Sequence, residues 1–271
     1  DRLAKDGVTF ANAYASDVPT QPSYTSMFTG KRGISTGVVS HSSQENLDDN
    51  TPFLPQLLAR EGIVTAAVST LYHMKKYFSR GFMYYMNPVA GNPMLTQRVT
   101  ADQINGFAIP WLKEHTGDDW FLFIHYWDPH TPYCPPRSYR GLFYHGNKSD
   151  PQNRSLDPVK ENKVLYPFIQ RLLDAMGGDI TDLEYVISQY DAEIRYADEK
   201  FGEIISALEE SGILDETVII VTSDHGESFG EHDVYFDHAD VHEPIIHVPL
   251  IFKHSSFLKG KVKKAFVQLI D

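Results

Sequence analysis

The chain reads as an α/β protein with a mostly parallel central sheet flanked by helices on both faces. Three observations predict it. The run Val218-Ile219-Ile220-Val221-Thr222-Ser223 is apolar and β-branched, then stops abruptly at Asp224-His225-Gly226. A central strand buried on both faces has this continuous apolar character. Residues 182–211 keep Ile187, Tyr190, Ile194, Ala197, Phe201, Ile204, Ile205 and Leu208 at helical spacing until Gly212, which predicts one long helix. Strand-like and helix-like segments also alternate along most of the chain.

Taken in order, residues 8–13 form a short strand and residues 21–30 a helix stopped by Gly30. Thr20 stands at the N-cap position, with Pro22 in the first turn. Residues 52–61 form a second helix, with Leu54, Leu57 and Leu58 on one face and Gly62 as its stop. Residues 63–69 are a strand. Residues 100–115 are a helix kinked or broken near Pro110. Trp120-Phe121-Leu122-Phe123-Ile124-His125-Tyr126 is a strand, and residues 248–253 are another. Residues 135–178 break the rhythm. They hold Pro135, Pro136, Pro151, Pro158 and Pro167 with little periodicity, and read as a long loop excursion near the cleft.

Composition narrows the function. With 271 residues, 42% hydrophobic and 22% charged, the chain is ordinary globular protein with room for one large domain. It has no run of about 18 apolar residues. A net charge of −12 argues against nucleic acid, which requires clustered positive charge, but not against a small anionic substrate held by local basic groups. Cys134 is the single cysteine, which rules out a disulfide within the chain and favours a reducing, cytoplasmic compartment. Asn147-Lys148-Ser149 and Asn153-Arg154-Ser155 match the glycosylation sequon but are read as loop composition.

Two constellations carry chemistry. Ligands of open α/β sheets bind at the C-terminal edge of the strands. Asp224 and His225 are delivered there and form a donor pair suited to a divalent cation. The Thr20 hydroxyl, at a helix start, is either a plain cap or a nucleophile. The positive end of the helix dipole and its free N–H groups favour an alkoxide and a bound oxyanion. Lys31 and Arg32 follow the end of that helix. They are candidates for substrate binding, although a cation at a helix C-terminus is already accounted for by the dipole.

Five sets of segments stand in order along the chain: Thr20-Gln21-Pro22-Ser23 with Thr29-Gly30, Asp128-Pro129-His130-Thr131-Pro132-Tyr133, residues 190–198, Ser223-Asp224-His225-Gly226-Glu227 with Gly230-Glu231-His232, and Val248-Pro249-Leu250-Ile251. Together they resemble the sulfatase branch of the alkaline-phosphatase superfamily. The resemblance implies a sulfatase-like catalytic domain over residues 1–271, with the family's first strand expected before Asp1 and its C-terminal region after Asp271. It implies one divalent cation (Ca²⁺, Mn²⁺ or Zn²⁺) on Asp224, His225, the Thr20 oxygen and carboxylates of that first strand. The crowded histidines leave a second metal open. It also implies His238 as the acid at the leaving oxygen and His130 as a donor to a non-bridging oxygen of the substrate.

Two departures shape the chemistry. Thr20 stands where sulfatases carry a cysteine or serine that becomes formylglycine, and Tyr24 stands where they carry arginine. A threonyl ester has no aldehyde exit and must be opened by water or an acceptor alcohol. The resemblance therefore implies hydrolysis of a sulfate, phosphate or phosphonate ester through a covalent Thr20 intermediate. Phosphodiester hydrolysis, transfer to an alcohol, and a non-catalytic binding relative are the alternatives.

Overall fold

The computed structural model describes residues 2–42, 44, 46–89, 99–238 and 240–271. Helix α1 (Arg2–Asp6) leads through Gly7 into strand β1 (Val8–Tyr14). Helix α2 (Thr20–Thr29) ends at Gly30, whose φ of 63° allows the left-handed cap, with its N–H bonded to the Ser26 carbonyl. Short α3 (Gly33–Thr36) and α4 (Leu54–Arg60) precede β2 (Val64–Val68) and β3 (Tyr84–Met86). Helix α5 (Ala101–Glu114) starts on a Thr100–Gln103 capping box and runs unbroken through Pro110. Strand β4 (Trp120–Ile124), then α6 (Asp157–Glu161), α7 (Tyr166–Ala175) and the 28-residue α8 (Leu183–Glu210) follow. The chain then forms β5 (Ile219–Thr222), the hairpin β6 (Ser228–Phe229) and β7 (Tyr235–Asp237), α9 (Glu243–Ile246), β8 (Leu250–Lys253) and β9 (Lys261–Gln268).

Among the described residues the larger strands form two sheets. One is wholly parallel, in the order β3-β2-β4. The other is mixed, in the order β5-β8-β1-β9, with β8 antiparallel to both β5 and β1 and β9 parallel to β1. The expectation of a buried central strand at residues 218–223 is corrected here. Among the described residues β5 pairs only with β8, and Val218 and Ile220 are 53% and 55% exposed. Its alternate residues Ile219 and Val221 face the core instead.

Helices α5 and α8 lie together against these strands. Ile104, Ala108, Trp111 and Leu112 of α5 meet Ile204 and Leu208 of α8, Ala66 and Val68 of β2, and Ile219 of β5. Each large apolar side chain among them, fully buried, contributes about 1.5–3 kcal/mol. The apolar stripe of α8 does not run straight. Its N-terminal half buries Val186 into a separate cluster, and Ile194, between the two, is 44% exposed. The helix serves two partners, and its buried face turns from one to the other.

That second partner is the excursion. Residues 135–178 are not a plain loop: α6 and α7 bury Val159, Ile169 and Leu173 together with Leu156, Met176, Ile180 and Phe236. The sequence hid this because the two helices are short and proline-started, leaving few turns over which a period can show. The predicted apolar face of residues 52–61 also differs. Leu54 and Leu57 are exposed and Pro55 is buried, because α4 rests on the core by its first turn. In the two sequons, Asn147 and Asn153 turn their side-chain oxygens onto the N–H groups of Ser149 and Ser155, closing tight loop turns.

Candidate active site

Helix α2, the loop after β4, the loop after β5 and the β6–β7 hairpin converge on one site. Thr20 is not the N-cap. Pro19 holds that position, and Thr20 is the first helical residue, with no capping bond from its side chain. Its hydroxyl, in a residue 4% exposed, instead lies 3.0 Å from Nε2 of His225, 205 residues along the chain. Ser23, one turn below, donates from its hydroxyl to the Asp224 carbonyl at 2.7 Å and locks the helix to the loop. The loop itself is fixed by Gly226. A Cβ there would sit 2.0 Å from the Pro244 carbonyl oxygen, and the Gly226 N–H donates to the Ile245 carbonyl at 2.6 Å.

The His225 tautomer follows from its neighbours. Nδ1 lies 2.8 Å from the Gly226 carbonyl, which can only accept, so Nδ1 carries the hydrogen. Nε2 then presents a lone pair to Thr20. The same nitrogen is 3.3 Å from Oδ2 of Asp224, a buried oxygen that has no hydrogen-bond partner among the described residues. Two lone-pair atoms facing each other in a buried pocket repel, and a cation between them removes the conflict. The donor set of carboxylate, imidazole and hydroxyl therefore fits a divalent cation. Among the described residues no three His, Cys, Asp or Glu side chains form a ligand cluster.

Two imidazoles face this centre. The ring of His238 stacks on that of His225 at 4.1 Å between centroids, with a 14° tilt. Burial by itself would lower the His238 pKa. The hydrogen bond and charge of Glu227, with Asp224 and Asp237 behind, overcome this and hold it above the usual imidazole range. His130 stacks on Trp127 at 4.5 Å and meets His238 edge-on at 5.5 Å. Its Nδ1 lies 2.7 Å from the Thr131 carbonyl, and burial lowers its pKa. Neutral His130 thus offers a lone pair at Nε2. It can donate to an oxyanion, the role expected from sequence, only in the protonated form.

Lys31 and Arg32 do not reach the site. They follow the far end of a ten-residue helix, about 15 Å from Thr20 at 1.5 Å per residue. The Arg32 guanidinium is tied to the Ser16 carbonyl at 3.1 Å and the Gln268 side chain at 2.7 Å. Tyr24 is buried among Phe28, Phe123 and His125 and brings no charge. His232 and His242 stack on each other at 3.8 Å, and His242 pairs with Asp240, so they form a pair of their own.

Four residues were missed from sequence. His125, at the end of β4, is buried, and His41 is exposed in the loop after α3. The charges acting on His41 come from His238, His225, Asp224 and His130, which puts it beside the same cluster. Gln21 is 2% exposed, and its amide nitrogen has no partner among the described residues. Glu227 binds His238. For His125 a strand-end signal existed, since it directly follows an apolar run. For Gln21 and Glu227 the signal was adjacency to Thr20 and to Asp224-His225-Gly226. For His41 there was none.

The sulfatase family matches residues 1–271, the entire chain. The chain belongs to that family. Among curated relatives it is 23% identical to the N-acetylglucosamine-6-O-sulfatase of Bacteroides thetaiotaomicron, covering 100% of this chain and 61% of that protein. It is 25% identical to human iduronate 2-sulfatase, covering 93% and 54%. The chain thus spans little more than half the length of these relatives. Among solved structures, the phosphonate monoester hydrolase of Agrobacterium radiobacter superposes with a TM-score of 0.75 at 21% identity, covering 100% of this chain and 66% of that one. That likeness establishes the shared α/β fold.

Proposed function

We propose that this sulfatase-family chain carries the active site of a metal-dependent hydrolase that cleaves a sulfate ester through a covalent Thr20 intermediate. One observation carries the proposal: the Thr20 hydroxyl lies 3.0 Å from His225 Nε2, which also lies 3.3 Å from the buried, unpartnered Oδ2 of Asp224. Asp224, His225 and Thr20 would hold the cation. When bound, a divalent cation lowers the pKa of a hydroxyl it touches and neutralises charge on the transferred group.

The chain's own residues supply the rest. Without a cation the Thr20 hydroxyl donates to His225 Nε2; with one bound, that single lone pair would serve the cation and the hydroxyl would give up its proton to solvent. Thr20 Oγ1, its proton released to solvent, attacks the sulfur in line, the bond from sulfur to the ester oxygen breaks, and the departing oxygen takes a proton from His238. A positioned acid of this kind is worth ~10²–10⁴-fold. Neutral His238 then takes a proton from water as that water displaces Thr20 from sulfur, and Thr20 leaves as the alkoxide that attacked. His130, once protonated by association with the anion, donates from Nε2 to a non-bridging oxygen.

Threonine favours a second reading. It cannot become an aldehyde, so its ester must be displaced, and the same steps serve a phosphonate or phosphate ester or an acceptor alcohol. Nitrophenyl esters of sulfate, phosphonate and phosphodiester, assayed with Mn²⁺, Ca²⁺ and Zn²⁺ in the presence and absence of an alcohol, separate these outcomes. In the full-length protein Thr20→Ala abolishes turnover of the preferred ester. Activity within a few-fold of wild type eliminates Thr20 as nucleophile. A protein that binds no cation and turns over none of these esters is a binding relative instead.

A further inference from the structure

We propose that Glu227 is a positioning residue for His238, fixing its tautomer and ring plane so that Nε2 is the atom that meets the leaving oxygen. The hairpin is the device that brings the two together. Strands β6 and β7 pair antiparallel with Ser228 opposite Asp237. The residue before β6 and the residue after β7, Glu227 and His238, therefore emerge side by side. Their side chains are 5% and 13% exposed, and Glu227 Oε1 lies 3.3 Å from His238 Nδ1. A carboxylate only accepts, so Nδ1 carries the hydrogen of this contact and Nε2 is left for chemistry. The ring is also clamped on one face by the His225 stack and met edge-on by His130.

The support extends behind the hairpin. Phe229 of β6 packs against Tyr133 at 5.6 Å and Tyr190 at 5.0 Å, and Phe236 of β7 is buried with the excursion helices. The hairpin cannot slide without disturbing that cluster. A carboxylate that orients an imidazole and selects its tautomer is a recurrent catalytic arrangement. Here it gives the acid its direction, while Glu227 itself touches neither substrate nor cation.

This inference rests on the reading of Thr20 as nucleophile and His238 as acid, and the test separates the two. The full-length protein would be assayed as wild type, Glu227→Ala, Glu227→Gln, His238→Ala and the Glu227→Ala/His238→Ala double variant, with Thr20→Ala alongside. Substrates are the 4-nitrophenyl ester, whose leaving group needs no proton, and an unactivated alkyl ester of the same acid. Glu227→Ala is expected to lower kcat ~10–100-fold on the alkyl ester and less than about threefold on the nitrophenyl ester. Glu227→Gln, which keeps the volume and an accepting oxygen, falls between wild type and Glu227→Ala, and the double variant is no worse than His238→Ala. Equal losses on both esters, no loss on the alkyl ester, or additive losses in the double variant overturn the proposal. Thr20→Ala inactive with unselective Glu227 variants defeats only this inference. Thr20→Ala active defeats the reading beneath it.

Discussion

The hydrogen on Nδ1 of His225 goes to the Gly226 carbonyl, and that bond decides what the opposite nitrogen offers to Thr20 and Asp224. The same logic runs through His130 and His238, whose Nδ1 atoms face acceptors of their own. His125 is different. Its Nδ1 meets the Ser69 hydroxyl at 3.2 Å, and its ring is enclosed by Tyr24, Phe123 and Trp127. Burial lowers its pKa from 6.5 to about 4, against the opposing charge of Asp224. Between those values the unfolded chain binds a proton that the folded chain does not. The stability from neutral His125 is therefore complete above pH 6.5 and is lost as pH falls toward 4, by about 3 kcal/mol. Urea unfolding of His125→Phe, which keeps the ring packing, should show a shallower loss of stability across that window than wild type. Unchanged slopes would mean that His125 takes up its proton in the folded protein as it does in the unfolded chain.

At the scale of elements, the site depends on how closely the loop after β5 approaches α9. Gly226 has an ordinary backbone conformation, and what forbids a side chain there is the Pro244 carbonyl oxygen, 2.0 Å from where a Cβ would stand. Gly226→Ala must push the loop away from α9 and carry the His225 imidazole off the Thr20 hydroxyl. Overpacking of this kind costs about 1–3 kcal/mol. The expected result is a lower urea midpoint together with a loss of turnover larger than the stability change explains. A variant with wild-type turnover would show that His225 is not held by this contact. Helix α2 offers the complementary case. Its start was read correctly to within one residue, but that one residue matters: as the first helical position rather than the cap, Thr20 leaves its hydroxyl free for His225.

Across the whole molecule, two sheets, a pair of long helices and a folded excursion hold donors drawn from both ends of the chain. The cation proposed above would find a carboxylate, an imidazole and a hydroxyl among the described residues, fewer than the roughly four to eight ligands that divalent cations take. The 271-residue chain alone should therefore bind Mn²⁺ or Zn²⁺ weakly, and Asp224→Asn should remove what binding calorimetry detects. One equivalent of metal retained through gel filtration would contradict this. Among the described residues no helix is long and apolar enough to cross a membrane.

The sequence by itself determined the alternation of strand and helix along much of the chain, the long helix α8, and the placing of Asp224 and His225 just past a strand. Those features rest on local periodicity and on abrupt changes of residue type, both legible within a window of a few turns. Only the tertiary structure decided that β5 lies at a sheet edge, that residues 135–178 fold into their own cluster, and that Lys31 and Arg32 sit at the wrong end of α2. It alone brought His41 beside the site and set Glu227 against His238. Such meetings join residues through hairpin register and packing between distant segments, and a contact of that kind leaves no period along the chain.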